Sequence, residues 1–277
     1  MGPRRIAVLG AALVAPAAGC FADLGGFSNA PGDSGADGNA AVGDAGSSDA
    51  ATPDDATSSP DTSADSGGNG DFTDDFARAD GPDVGNGWIM KYAPAFHLSG
   101  GAVQRLFPDS SHDFDDNIVY RPSSEKVLDV EVVATLRIAS APAGYPQLHA
   151  RVQDSVTTPS QLDSYLVFAN ASTTEIALAR QHGGSSGYVI LGTFAVAPAL
   201  DTSSVYRLHL RVSGTTSVTL AGSVERLVSG AWQSIGSGTA TDSAATRITT
   251  PGTVGFSGGR PESNGIYTYD DFTRKAL

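Results

Sequence analysis

Residues 21–70 contain nine aspartates and no lysine, arginine, tyrosine, tryptophan or isoleucine. The stretch is built mainly from Asp, Ser, Ala, Gly, Thr and Pro, and Val42 is its only β-branched apolar residue. Such a segment cannot bury enough apolar surface to offset the entropy of ordering it, so it reads as a disordered linker. Mutual repulsion swells it, and a flexible chain of this length spans roughly 40 Å or more. A packed core therefore has to come from residues 71–277, where ordinary globular sequence begins. That length suits one all-β domain of usual size.

The chain has one cysteine, Cys20. Arg4 and Arg5 form a short basic opening, and residues 6–15 are an apolar run of signal-peptide length, too short to span a bilayer. Ala17, Ala18 and Gly19 then supply small residues up to the thiol. The segment resembles the lipobox of bacterial lipoproteins, with Ala17 where that motif usually has Leu. The resemblance implies removal of residues 1–19 and lipidation of Cys20. It also implies an extracytoplasmic protein anchored to a bacterial membrane, at the outer membrane or cell surface, with residues 20–70 as its stalk. The competing reading is a chance cysteine beside an ordinary cleavage site at Ala15, Pro16 and Ala17. Avoidance of cysteine everywhere else favours lipidation, because exported chains have reason to avoid unpaired thiols. About two acyl chains suffice for stable anchoring.

The net charge is −13, and setting aside the nine linker aspartates and the two N-terminal arginines leaves −6 for residues 71–277. An acidic domain without a basic cluster argues against nucleic acid and against anionic lipid surfaces as partners.

Strand signals recur along residues 71–277, separated by Gly, Pro, Asn and Ser clusters. Residues 127–138 (VLDVEVVATLRI) are rich in β-branched side chains, and residues 206–212 (YRLHLRV) alternate without a break. Residues 218–228 and 231–235, around Ser229 and Gly230, predict two strands joined by a tight turn. No segment has a helical period with caps. The expected fold is all-β, a two-sheet antiparallel β-sandwich.

Residues 74–81 (DDFARADG) followed by Gly87 and Trp88, with residues 250–256 (TPGTVGF) and 269–272 (YDDF), carry a more specific likeness. They resemble the opening and closing strands of bacterial concanavalin A-like (laminin G-like) jelly-roll domains. Residues 148–154, 165–167 and 176–180 resemble the middle strands of that family. The resemblance covers residues 71–277. It implies that the first and last strands lie together, pairing the two Asp-Asp-Phe segments and burying Phe76 and Phe272.

Several constellations carry chemistry in principle. Residues 183–187 (GGSSG) match the nucleophile-elbow pattern, but strand sequence at residues 188–191 follows where that motif needs a helix, so a glycine-rich hairpin is favoured. Asp113, Asp115 and Asn117 alternate oxygen ligands of the kind calcium prefers, without the glycine and glutamate that complete an EF-hand. A loop calcium site is one reading and a solvated acidic turn the other, with the turn favoured. Asp74, Asp75, Asp270 and Asp271 form a second acid group if the terminal strands pair, and they would repel without a cation or hydrogen-bond donors between them. Many enzymes with the resembled fold are glycosidases that place paired acids along one strand. Asp129 and Glu131 come nearest to that signature, and Ala134 stands where the third acid belongs.

Five histidines are scattered with no pair at metal-ligand spacing. His149 shares a polar strand face with Gln147, Arg151 and Gln153, and His209 shares one with Arg207 and Arg211. If those strands are neighbours on the concave sheet, Arg151, Tyr165, Arg207 and His209 form a hydrogen-bonding ligand face. The alternative is an ordinary solvent face. Trp88 and Trp232 read as core or turn-packing residues, and Trp232, after an exposed turn, also suits a sugar platform. The expected function is non-catalytic binding of a carbohydrate or surface polymer, a ligand class implied by the resemblance. A polysaccharide-active enzyme with an unrecognised site and an adhesion module with a protein partner are the alternatives. No cofactor is indicated apart from calcium.

Overall fold

The computed structural model describes residues 70–91, 95–105, 118–139, 146–154, 162–169, 174–182, 188–258 and 267–277. The expected signal segment, Cys20, the expected linker as far as residue 69, the Asp113–Asp115–Asn117 group and the glycine-rich stretch 183–187 lie outside the described residues.

Fifteen strands make up the described chain. In order they are β1 (Phe72–Asp74), β2 (Ile89–Met90), β3 (Phe96–Ser99), β4 (Ala102–Arg105) and β5 (Ile118–Tyr120). The longer β6 (Val130–Ile138), β7 (Pro146–Asp154), β8 (Leu162–Ala169), β9 (Glu175–Gln181) and β10 (Tyr188–Ala195) follow. β11 (Val205–Ser213), β12 (Val218–Val228), β13 (Ala231–Asp242), β14 (Thr253–Gly258) and β15 (Tyr267–Ala276) complete the set. The first sheet runs β13-β12-β11-β6-β15-β4-β3, with β1 added on β15, and the second runs β10-β9-β8-β7-β14-β5-β2. Every pairing is antiparallel. The chain is therefore an antiparallel jelly-roll sandwich of the expected kind. Among the described residues no helix is long and apolar enough to cross a membrane.

Alternation sets which face each strand buries. In β6 the side chains of Val130, Val132, Ala134, Leu136 and Ile138 are buried, and in β11 those of Tyr206, Leu208, Leu210 and Val212. Register places Leu208 opposite Ala134 and Leu210 opposite Val132, so both strands turn one apolar face to the second sheet. The expected hairpin is present: Ser229 and Gly230 take φ of 50° and 82° between β12 and β13, the left-handed pair that a tight hairpin turn needs.

The terminal strands pair, with Asp74 opposite Phe272 and Phe72 opposite Arg274. Phe76 and Phe272 are buried as expected, packed around Trp88 with ring centroids 6.0 and 4.8 Å from it. Asp74 holds this corner together. Its carboxylate accepts from Trp88 Nε1 at 2.7 Å, Arg78 Nη1 at 2.8 Å, the Phe76 amide at 2.8 Å and Asn86 at 3.1 Å. Burial alone would push the Asp74 carboxyl up, but these donors together hold it below the usual carboxylate range. Of the four acids expected together at the paired termini, Asp74 is taken out by these donors, whereas Asp75, Asp270 and Asp271 stay near one another, and burial together with the charges of Asp271 and Asp75 raises the Asp270 carboxyl. Asp75 instead turns to the Ala77 amide at 3.1 Å, and Asp270 accepts from the Asp271 amide at 2.8 Å. Among the described residues no group of three or more His, Cys, Asp or Glu is placed to hold a metal ion.

Candidate functional site

The outer face of the first sheet is a ladder of polar rows. Glu131, Arg211, Ala221 and Thr239 face one another across β6, β11, β12 and β13. Val133, His209, Ser223 and Ser237 form the next row, and Thr135, Arg207, Glu225 and Ser234 the one after. Long side chains stand on β6 and β11, whereas β12 and β13 carry Ala221, Ser223, Ser237 and Thr239. That step in height leaves an open groove of about 310 Å³, floored by the small residues and walled by Glu131, His209 and Arg211.

The opposite side of the same hairpin explains the backbone beneath the floor. Gly222 and Gly238 are cross-strand partners on the inward face. A Cβ on Gly222 would stand 2.8 Å from Leu178, and one on Gly238 would stand 2.8 Å from Phe194. Glycine at both positions lets the second sheet press close against the hairpin.

One end of the groove is a charge and aromatic cluster. His209 Nε2 lies 3.0 Å from Glu225 Oε2, and Arg207 Nη1 lies 3.8 Å from the same oxygen. The Arg207 guanidinium also stacks over the Trp232 ring at 4.1 Å. Trp232 thus sits on the outer face, at the site rather than in the core, while Trp88 is a core residue.

The four expected ligand residues do not share one surface. Arg207 and His209 lie on this outer face, whereas Arg151 and Tyr165 are completely buried. The cause for Arg151 is a bulge in β7, where the register shifts between Ala150 and Gln153 and Arg151 takes a φ of 50°. Its side chain turns inward, donating to Leu128 O, Ile248 O and Gly214 O at 2.7 Å each and to Asp129 Oδ1 at 3.1 Å. Tyr165 lies opposite Ala150 on the core face. Its hydroxyl donates to Asp242 at 2.9 Å and accepts from the Ile248 amide at 3.0 Å, while Arg180 binds the same Asp242 oxygen at 2.7 Å. Both residues are structural ties between strands and loops. Asp129 and Glu131 part company in the same way, one held by Arg151 and the other in the groove.

His149 keeps the polar face expected of it, yet it is buried, on the outer face of the second sheet. Nδ1 lies 2.9 Å from Ser164 Oγ and Nε2 lies 2.7 Å from Ser257 Oγ, which donates onward to Gln147 Oε1 at 2.9 Å. Burial pushes the His149 imidazole down to about 3, so it is neutral at physiological pH.

Sequence reading missed the groove floor. The available signal was the run of small residues at every second position in β12 and β13, with Ala221 and Ser223 opposite Arg211 and His209 and Thr239 and Ser237 beyond them.

No family model and no curated protein matches the chain. Among solved structures, a carbohydrate-binding module from Bacillus subtilis is similar at 12% identity and a TM-score of 0.47, over 69% of this chain and 96% of that one. A β-glucanase from Bacillus licheniformis is similar at 12% identity and 0.44, over 76% of this chain and 99% of that one. Arcelin-5, a lectin-like defense protein from Phaseolus vulgaris, is similar at 13% identity and 0.44, over 74% and 96%. All three scores fall below 0.5, so strand order and register, rather than these likenesses, establish the sandwich.

Proposed function

We propose that this chain is a surface-held binding module that takes a glycan or another hydroxyl-rich polymer in the groove over β6, β11, β12 and β13 without cleaving it. The observation that carries this reading is the floor of Ser223, Ser237 and Thr239 hydroxyls beside Arg211, His209 and the Arg207–Trp232 stack. Such a surface offers alternating donors and acceptors over an open ledge, which suits an extended polyol. Hydrolysis fits it poorly. Glycosidic cleavage uses two carboxyls about 5 to 10 Å apart. Among the groove-lining residues the one carboxyl is that of Glu131; Glu225 stands about 17 Å from it, Cα to Cα, by strand spacing, and Asp271, hydrogen-bonded to Thr135, belongs to the row at the Arg207 end. Glu225 is also engaged by His209.

A glycan array, followed by calorimetry on any hit, tests the reading. Ser237→Trp places a large ring on an exposed position of the floor, so the fold is expected to survive and binding to fall at least tenfold, the equivalent of about 1.4 kcal/mol. Measuring with calcium and with chelator covers the calcium reading of Asp113, Asp115 and Asn117. Undiminished binding by Ser237→Trp would remove the groove from the proposal, and released reducing sugar would favour the enzyme.

The reading includes attachment to a bacterial membrane through lipid on Cys20, supported by the apolar run and small residues that precede the chain's one cysteine. Metabolic labelling with a clickable fatty acid is expected to mark the wild type and to leave Cys20→Ser unmarked. Equal labelling of both would end the lipid proposal.

A further inference from the structure

We infer that, resting on the glycan reading above, the groove selects chains that carry carboxylates and that Arg211 is the residue that grips them. Arginines in this fold are mostly committed, since seven of them pair with a carboxylate of the protein itself. Among the described residues Arg137 and Arg211 are exposed and not so paired, and of the two Arg211 lines the groove, whereas Arg137 lies nearer Asp270. No hydrogen bond or ion pair with another described residue holds the Arg211 guanidinium.

The acids nearby do not neutralise it. Glu131 is its cross-strand neighbour without forming an ion pair, and Lys275 lies opposite Glu131 on the other side. Glu225 is shared by His209 and Arg207 at the far end. The Arg211 end therefore has a cation to spare, next to a cleared floor at Ala221 and Thr239. A planar guanidinium with an open approach can present two parallel N–H donors to a carboxylate, a geometry that an ammonium cannot copy. Arg207 lies about 14 Å further along β11 by strand spacing, flat on Trp232 and already tied to Glu225. It frames the groove and leaves Arg211 as the anion-reading group. The hydroxyls of Ser223 and Ser237 lie between the two, where they meet the uncharged body of the ligand.

The test uses an array of uronate-bearing glycans beside their carboxyl-reduced counterparts, probed with wild type, Arg211→Gln and Arg211→Lys. Wild type is expected to favour the acidic chains by about tenfold, the scale of one charge-assisted hydrogen-bonded pair. Arg211→Gln is expected to bind both forms alike, and Arg211→Lys to recover part of the preference. Unchanged melting temperatures check that the exposed substitutions leave the fold intact. Equal binding of acidic and reduced chains by wild type overturns the inference and leaves the glycan reading standing. An acid preference that survives Arg211→Gln overturns the assignment to Arg211. No binding to any glycan overturns both.

Discussion

Replacing Arg151 with alanine is expected to destabilise the fold by about 3–5 kcal/mol, because buried carbonyls that lose their donor cost about 1–3 kcal/mol each, whereas its partner Asp129 is exposed enough to be hydrated. Arg151 is fully buried and fills four acceptors at once, on the segments before β6, after β11 and before β14. Its loss leaves three backbone carbonyls without their donor, and Asp129 keeps only the Gly214 amide at 2.9 Å. Arg151→Lys retains the charge without the fork and is expected to restore part of the loss. Urea unfolding followed by tryptophan fluorescence measures it. A cost below about 1 kcal/mol, the range of exposed pairs, would show that the hub contributes little.

Acid is expected to unfold the protein through His149. Burial pushes its imidazole down to about 3, well below the ordinary value of 6.5. Below pH 6.5 the unfolded chain takes up a proton that the folded one refuses, so stability is complete above that pH and is lost as pH falls toward 3. Each pH unit in that window costs about 1.4 kcal/mol, or about 3 kcal/mol between pH 6.5 and 4.5. Asp74 and Glu125 add their loss at lower pH. Burial would raise the Glu125 carboxyl, but Arg121 and Arg274 hold it below the usual range, and protonation ends that stabilisation only in stronger acid. Unfolding free energies of wild type and His149→Gln, measured from pH 7 to 4.5, are expected to differ in slope by about one proton. Parallel curves would show that His149 opens to water before it is protonated.

These two residues also show where the sequence could and could not be read. His149 and Arg151 sit two apart in an alternating strand, and alternation alone gives them the same face. The bulge after Ala150 breaks that parity, and nothing in residues 146–154 marks it, since neither Gly nor an interior Pro stands at the bend. Arg207 and His209 lie in a strand of unbroken register, and there the period of two placed both correctly on an outer face. Tyr165 was lost for another reason: only cross-strand register, set by long-range pairing with Ala150, decides that it faces the core. The pairing of the terminal Asp-Asp-Phe segments was legible through the family resemblance alone, and Phe76 and Phe272 are buried as it implies, each against Trp88 and Phe256. The groove floor was not, because a small serine or threonine acquires meaning only from the height of its neighbours across the sheet.

The position of β15 has a bearing on when this protein can fold. The strand lies between β6 and β4 and carries β1 as well, so the final strand of the chain supplies the centre of the first sheet. During synthesis, β6, β11, β12 and β13 can associate once residue 242 has been added. β1, β3 and β4, made much earlier, have no sheet to join until residues 267–276 arrive. Phe72 and Phe96 wait with them for Phe272 and Tyr269. Closure across so much intervening chain is slow compared with local pairing. A nascent polypeptide of this topology stays half unzipped until residues 267–276 have been added, and until then β1, β3 and β4 keep unpaired edges.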